Sequence, residues 1–141
     1  MIKYRQYYYQ LRHELKHTFK CIISWSYCIF RIQHIFYKWY EKLDQATAYE
    51  QLQEDKSIKL VDVREPSEFK AGYIEGAQLI PLGTIENDFE TVIPDKDAKI
   101  FVYCRSGNRS AQAAKKLVDL GYTNVFDIGG ILDWEYGVVN S

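Results

Sequence analysis

Cysteine is scarce in this chain of 141 residues, which contains only Cys21, Cys28 and Cys104. An odd number without regular spacing argues against the disulfide framework of a small secreted domain. Reduced thiols in a cytoplasmic protein are the simpler interpretation. His17 and His34 flank the first two cysteines, but the six residues that separate Cys21 from Cys28 do not match a common zinc-ligand spacing. The sequence therefore predicts no metal site.

Long apolar runs are also lacking in the N-terminal part. The apolar stretch at residues 21–30 lies between Lys20 and Arg31 and has ten residues, whereas a membrane-spanning helix needs about 20. No small-residue cleavage site follows this stretch, which argues against a secretory signal peptide. We therefore expect neither a spanning helix nor a secretory leader here.

Acidic residues are almost absent from residues 1–40, where Glu14 stands against seven Lys or Arg. This segment has a net charge of +6, which leaves −7 for the rest of a chain whose total is −1. It also contains seven of the twelve tyrosines and two of the three tryptophans. The contrast predicts a basic, aromatic-rich extension (1–40) on an acidic globular domain (41–141).

For the extension four alternatives stay open. It is a helix at a membrane surface on the cytoplasmic side, a helix packed on the domain, a disordered tail, or a stretch that precedes the true start codon. Nucleic-acid binding is not expected, because the motifs that carry chemistry all lie in the acidic part of the chain.

Residues 41–141 alternate short apolar runs with amphipathic segments. The runs 58–63, 78–80, 99–103 and 124–128 predict strands, and the segments 46–54, 66–69, 84–92 and 110–120 predict helices, with a last short helix after residue 130. This alternation predicts a three-layer α/β domain with a mainly parallel central sheet flanked by helices. Ligands of such sheets bind beyond the carboxyl ends of the strands, which is where Cys104 follows an apolar run.

The segment from Cys104 to Ser110, Cys-Arg-Ser-Gly-Asn-Arg-Ser, is the candidate reactive loop. Consecutive backbone N–H groups in a tight loop converge on an anion, and the positive end of the following helix adds to them. Arg105 and Arg109 add full charges, Gly107 can adopt a left-handed conformation, and Ser110 is an N-cap candidate. We expect the Cys104 thiol to be largely thiolate near neutral pH in such a loop.

Several motifs, in order along residues 41–141, resemble those of the rhodanese family. They are Asp62-Val63-Arg64, Glu68-Phe69, the turn at 72–77 (Gly-Tyr-Ile-Glu-Gly-Ala), the loop at 104–110, Gly121-Tyr122, and Gly129-Gly130 with Trp134. Tyr73 stands where the family usually has histidine. That position mainly supports the fold, so we expect activity to be retained.

The resemblance implies a rhodanese-like domain with sulfurtransferase activity, in which a cysteine takes a sulfane sulfur from a donor such as thiosulfate. The resulting persulfide gives the sulfur to cyanide or a thiol. By this resemblance Cys104 is the nucleophile, and the substrate-binding residues are Arg105, Ser106, Gly107, Asn108, Arg109 and Ser110. Asp62, Arg64 and Glu68 are implied to support the site through hydrogen bonds and ion pairs. No metal or organic cofactor is implied, because the chemistry needs only the thiolate and its loop.

Other functions stay open beside sulfur transfer. Cysteine phosphatases use a similar loop with five residues between cysteine and arginine, whereas here four residues (105–108) separate them. Tyr103 also stands where those enzymes have histidine, and no aspartate is evidently placed as a general acid. A second alternative is a rhodanese-like module that binds a partner without catalysis, or that senses oxidants through its cysteine.

Overall fold

The structure, a computed structural model, describes residues 39–140. Its strands are β1 (Glu41–Lys42), β2 (Lys59–Asp62), β3 (Gln78–Leu79), β4 (Lys99–Cys104) and β5 (Asn124–Gly130). Its helices are α1 (Gln45–Glu54), α2 (Pro66–Lys70), α3 (Ile85–Val92) and α4 (Asn108–Asp119), and a 3-10 turn (Ile131–Asp133) follows β5. The strands form one sheet in the order β1-β5-β4-β2-β3, and all four pairings are parallel.

The predicted extension lies outside the described residues except for positions 39 and 40. The same is true of Cys21, Cys28 and the two histidines that flank them. Within residues 39–140, no helix is both long and apolar enough to cross a bilayer.

Strand β4 occupies the centre of the sheet, and every residue after its first is buried. Because side chains alternate along a strand, Ile100, Val102 and Cys104 join one core, whereas Phe101 and Tyr103 join the other. A strand that is apolar on both faces has to be covered on both faces. This requirement explains the continuous apolar run in the sequence.

Helices cover each face of the sheet. On one face, α3 and α4 contribute Ile85, Phe89, Ala113, Ala114 and Leu117. On the other face, the core includes Ala48 and Leu52 of α1 together with Ile74 and Trp134. The predicted fold, a mainly parallel sheet flanked by helices, is therefore confirmed.

Parallel pairing brings the carboxyl ends of β2, β4 and β5 to one edge of the sheet. Asp62 at the end of β2 is in register with Tyr103. Cys104 at the end of β4 is in register with Gly130, after an irregularity that follows Val102. The edge thereby collects groups that are far apart in the sequence.

The start of α4 differs from the prediction. The helix begins at Asn108, and its N-cap is Gly107 with φ +96°, so the predicted N-cap role of Ser110 is wrong. Glycine adopts this left-handed conformation without steric cost, which lets the chain turn into the helix directly after β4. The Ser110 hydroxyl instead lies inside the first turn, 3.0 Å from the carbonyl oxygen of Gly107.

Substitution of Phe101 tests how much the core on the α1 face contributes to stability. Its side chain is fully buried and makes an edge-to-face contact with Phe126. We expect Phe101→Ala to lower the free energy of unfolding by about 3–5 kcal/mol, because the substitution leaves a cavity. Urea denaturation measures the change. Val92→Ala, at a position that is 48% exposed, is the control and should change stability by less than about 0.5 kcal/mol; equal effects would contradict the described core.

Candidate active site

Cys104 is the last residue of β4, and only 1% of its surface is exposed. The backbone N–H of Gly107 donates to its Sγ at 3.1 Å. The thiol in turn donates to Ser110 Oγ at 3.7 Å. A donor aimed at the sulfur stabilises negative charge there, so the loop favours an electron-rich sulfur.

The active loop (residues 104–110) rests against the end of β5. A Cβ atom built on Gly130 would lie 2.4 Å from the Arg105 carbonyl oxygen and 2.6 Å from the Ser106 Cα. The backbone N–H of Leu132 also donates to the Arg105 carbonyl at 3.2 Å. Only glycine allows this close approach. In the sequence Gly130 stands out only as part of the Gly129-Gly130 motif, and its contact with the loop was not predicted. The paired glycines at a strand end were the available signal.

Arg109 lies at the start of α4 and forms a two-point ion pair with Glu68 of α2. Its Nη1 and Nη2 donate to the carboxylate at 2.7 and 2.8 Å. This hydrogen bonding lowers the pKa of Glu68 to about 2 and raises the pKa of Arg109. Glu68 also accepts the backbone N–H of Glu65 at 3.1 Å, which fixes it on α2. The charge of Arg109 is thus directed at a carboxylate, and the pair joins the active loop to α2.

Asp62 and Arg64 form a separate buried pair. Arg64 Nη2 donates to Asp62 Oδ2 at 2.6 Å and to the Gly72 carbonyl at 2.7 Å.

Tyr103 lies beside this pair, and its hydroxyl accepts the N–H of Ile74 at 3.2 Å. Burial, reinforced by the Asp62 charge, raises the pKa of Tyr103. These groups tie the end of β2 to the 72–74 turn, and none of these hydrogen bonds reaches Cys104.

Arg105, Ser106 and Asn108 are exposed at the mouth of the loop. Asn108 accepts a hydrogen bond from Gln112 at 2.7 Å. Among the residues at positions 39–140, no carboxylate pairs with Arg105. Arg105 is therefore the loop arginine that can meet an incoming anion without first leaving a partner.

The sequence model of the rhodanese-like domain matches residues 45–136, about two thirds of the chain. The chain is a member of the rhodanese-like family. It is 38% identical over 73 residues to the thiosulfate sulfurtransferase PspE of Escherichia coli, an alignment that covers 52% of this chain and 70% of that protein.

Solved rhodanese structures are similar to this domain. A rhodanese-related protein from Thermoplasma volcanium is 34% identical, with a TM-score of 0.63, over 72% of this chain and 100% of that one. A rhodanese with anions from E. coli is also 34% identical, with a TM-score of 0.57, over 60% of this chain and 99% of that one. Together with the family assignment, these relatives support sulfur transfer as the general activity.

Two aromatic residues of the rhodanese motifs make their contacts outside the active loop. Tyr73, which replaces the usual histidine, stacks on Phe69 with ring centroids 4.0 Å apart. Trp134 belongs to the core on the α1 face, and its Nε1 donates to the Gly137 carbonyl at 3.0 Å. It lines a cleft of about 660 Å³ that includes no residue of the active loop. Both aromatic residues therefore support the rhodanese-like fold.

The Glu68–Arg109 pair makes stability depend on pH. A carboxylate whose pKa falls from 4.5 unfolded to about 2 folded stabilises the protein above pH 4.5, and this contribution is lost as the pH falls through 2. We expect Glu68→Gln to lower the free energy of unfolding by about 1 kcal/mol at pH 7. The difference from wild type should shrink between pH 4.5 and 2.

Urea denaturation over that pH range measures the effect. Glu86→Gln is the matched control, because Glu86 also pairs with one cation, Lys116, but has a side chain that is 61% exposed. Its effect should be smaller. A Glu68→Gln difference that is independent of pH would contradict the assigned role of the pair.

Proposed function

We propose that this rhodanese-like protein transfers a sulfane sulfur from an anionic donor such as thiosulfate to cyanide or a thiol, through a persulfide on Cys104. The observation that carries the proposal is the Gly107 N–H at 3.1 Å from Cys104 Sγ, at the end of the central strand. A backbone donor aimed at a cysteine sulfur is what a thiolate nucleophile requires.

The chemistry proceeds in two balanced displacements. The Cys104 thiolate attacks the outer sulfur of thiosulfate, so a Cys–S bond forms while the S–S bond of the donor breaks and sulfite leaves with the electron pair. The acceptor, cyanide or a thiolate, then attacks the outer sulfur of the persulfide and releases the Cys104 thiolate. No further oxidant or reductant is needed.

The loop geometry supports stabilisation of the terminal persulfide sulfur. α4 is a helix of 12 residues that begins at Asn108, directly after Gly107 of the loop. The positive end of the helix therefore faces the loop. Backbone N–H groups of the loop residues Arg105 to Ser110 supply the donors for an anionic sulfur, as the Gly107 N–H already does for Sγ. The buried position of Cys104 strengthens such interactions, because water screens them less.

The two loop arginines have different proposed roles. Arg109 is bound to Glu68, so we assign it to holding the loop in place. Arg105 is exposed and is assigned to capture of the anionic donor. The resemblance implied that both arginines bind the donor and that Arg109 also braces the loop; the ion pair with Glu68 favours the bracing role for Arg109.

Replacement of the nucleophile tests the mechanism. Cys104→Ser should abolish thiosulfate-to-cyanide sulfur transfer while the folded state is retained, because the hydroxyl cannot carry the sulfane sulfur. Donor-treated wild type should gain about 32 Da on Cys104, a mass that the variant should lack. Mass spectrometry of peptides separates Cys104 from Cys21 and Cys28. Turnover by the variant would contradict the mechanism, and a folded wild type with neither turnover nor added mass would favour the partner-binding alternative.

Removal of the loop charge tests donor capture. Arg105→Ala should raise KM for thiosulfate by about tenfold, with a smaller change in kcat, since the side chain attracts the donor before reaction. Lys115→Ala removes one positive charge from an exposed position on α4 and is the control. The Arg105 effect should weaken as ionic strength rises. Equal KM values for the two variants would show that Arg105 has no specific part in capture.

A further inference from the structure

Gln45 connects α1 to the end of β5 that supports the active loop. It is the first residue of α1 and is half-buried. Its Nε2 donates to the Ile128 carbonyl at 3.0 Å and to the Gly130 carbonyl at 2.8 Å. One side chain thus holds two carbonyls more than 80 positions away in the sequence.

The two hydrogen bonds from Gln45 lie just beyond the end of the edge strand β1. β1 pairs with β5 only as far as Lys42 opposite Asp127, and the last backbone bond runs from the Leu43 N–H to the Asp127 carbonyl. The side-chain amide of Gln45 supplies donors to carbonyls beyond that point. Buried carbonyls need such partners, so the amide extends the support that the short strand gives to β5.

The carbonyl oxygen of the Gln45 amide indicates that this side chain acts as a hydrogen-bond donor. Gln45 Oε1 is buried and accepts no hydrogen bond from any described residue. An unused acceptor beside two satisfied donor bonds indicates that the position depends on donation. Reversal of the amide would place oxygen against two carbonyl oxygens, which fixes its orientation.

The segment that Gln45 holds is in contact with the reactive loop on its other side. Gly129, between the two bonded carbonyls, has φ +87°, and its own carbonyl lies 3.3 Å from Ser110 Oγ. Ser110 Oγ accepts the Cys104 thiol at 3.7 Å. Gly130 lies directly against the backbone of Arg105 and Ser106. A shift of residues 129–130 would therefore move the loop donors relative to the sulfur.

We propose that Gln45 is a positioning residue for sulfur transfer: its amide donors fix residues 128–130, on which the active loop and its N–H groups rest. The inference depends on the proposed function for its kinetic consequence. Its structural step, the holding of the loop, does not. Gln45 does not touch the reacting sulfur, and it acts through β5.

Three variants at position 45 separate the effect of hydrogen-bond donation from the effects of side-chain volume and of the stability of α1. Gln45→Met keeps the length and removes the donors. Gln45→Glu keeps the shape, stabilises the N-terminus of α1 by its charge, and places acceptors against the two carbonyls. Gln45→Lys restores donors and lacks the unused acceptor. Gln53→Met, at an exposed position on the same helix, is the control.

The kinetic measurement uses thiosulfate and cyanide with the full chain. We expect kcat to fall by about 10- to 100-fold in Gln45→Met and at least as much in Gln45→Glu, with KM less affected, because misplaced donors slow the chemical step. Gln45→Lys should stay within about threefold of wild type, as should Gln53→Met. A residue needed only for folding would lower the melting temperature without changing kcat of the folded protein.

Amide hydrogen exchange of residues 104–110 gives a readout that needs no turnover. Exchange should be faster in Gln45→Met and Gln45→Glu and near wild type in Gln45→Lys. If wild type transfers sulfur and the Met and Glu variants keep its kcat, the positioning role is refuted while the proposed function stands. If wild type shows no transfer, the proposed function fails, and unchanged loop exchange would refute the holding of the loop as well.

Discussion

The contact between the active-loop backbone and Gly130 determines how the reactive end of the sheet is built. Because Gly130 has no side chain, the backbone of Arg105 and Ser106 lies against β5 at a distance that any Cβ would prevent. The loop therefore turns back sharply enough for the Gly107 N–H to reach the Cys104 sulfur. Without that approach the loop N–H groups would point away from the sulfur. The sulfur would then lose the Gly107 N–H, which favours its negative charge.

Electrostatics in this protein act at short range. Residues 41–141 have a net charge of −7, so the domain as a whole repels an anionic donor. At physiological salt, charges more than about 8 Å apart are largely screened, so in the proposed function the groups nearest the loop decide whether the donor is captured. Glu68 cancels much of the field of Arg109, and Arg105 supplies the exposed positive charge. The attraction is thereby concentrated at the mouth of the site.

The fold and the position of Cys104 at the carboxyl end of the central strand could be predicted from the sequence, because both depend on local patterns. Apolar runs between amphipathic segments specify the parallel sheet, and a cysteine after the central strand falls at its carboxyl end. The N-cap was misplaced because Ser110 matches the usual preference, whereas the backbone of Gly107 determines where the helix begins. The partners of Arg109 and Gln45 lie 41 and more than 80 positions away, so a single sequence has no periodicity that reveals them.

The two faces of the sheet contribute differently to the site. Helix α4 covers the face that contains Cys104, whereas α1 covers the opposite core and still reaches the end of β5 through Gln45. The left-handed glycines at 107 and 129 and the close backbone approach at Gly130 restrict the loop without contributing apolar burial. Their conformation is maintained because the buried central strand and its two cores hold β4 and β5 in place. The position of the loop N–H groups around the Cys104 sulfur therefore depends on the rigid packing of β4 and β5. In the proposed role of Gln45, α1 contributes to that rigidity from the opposite face of the sheet.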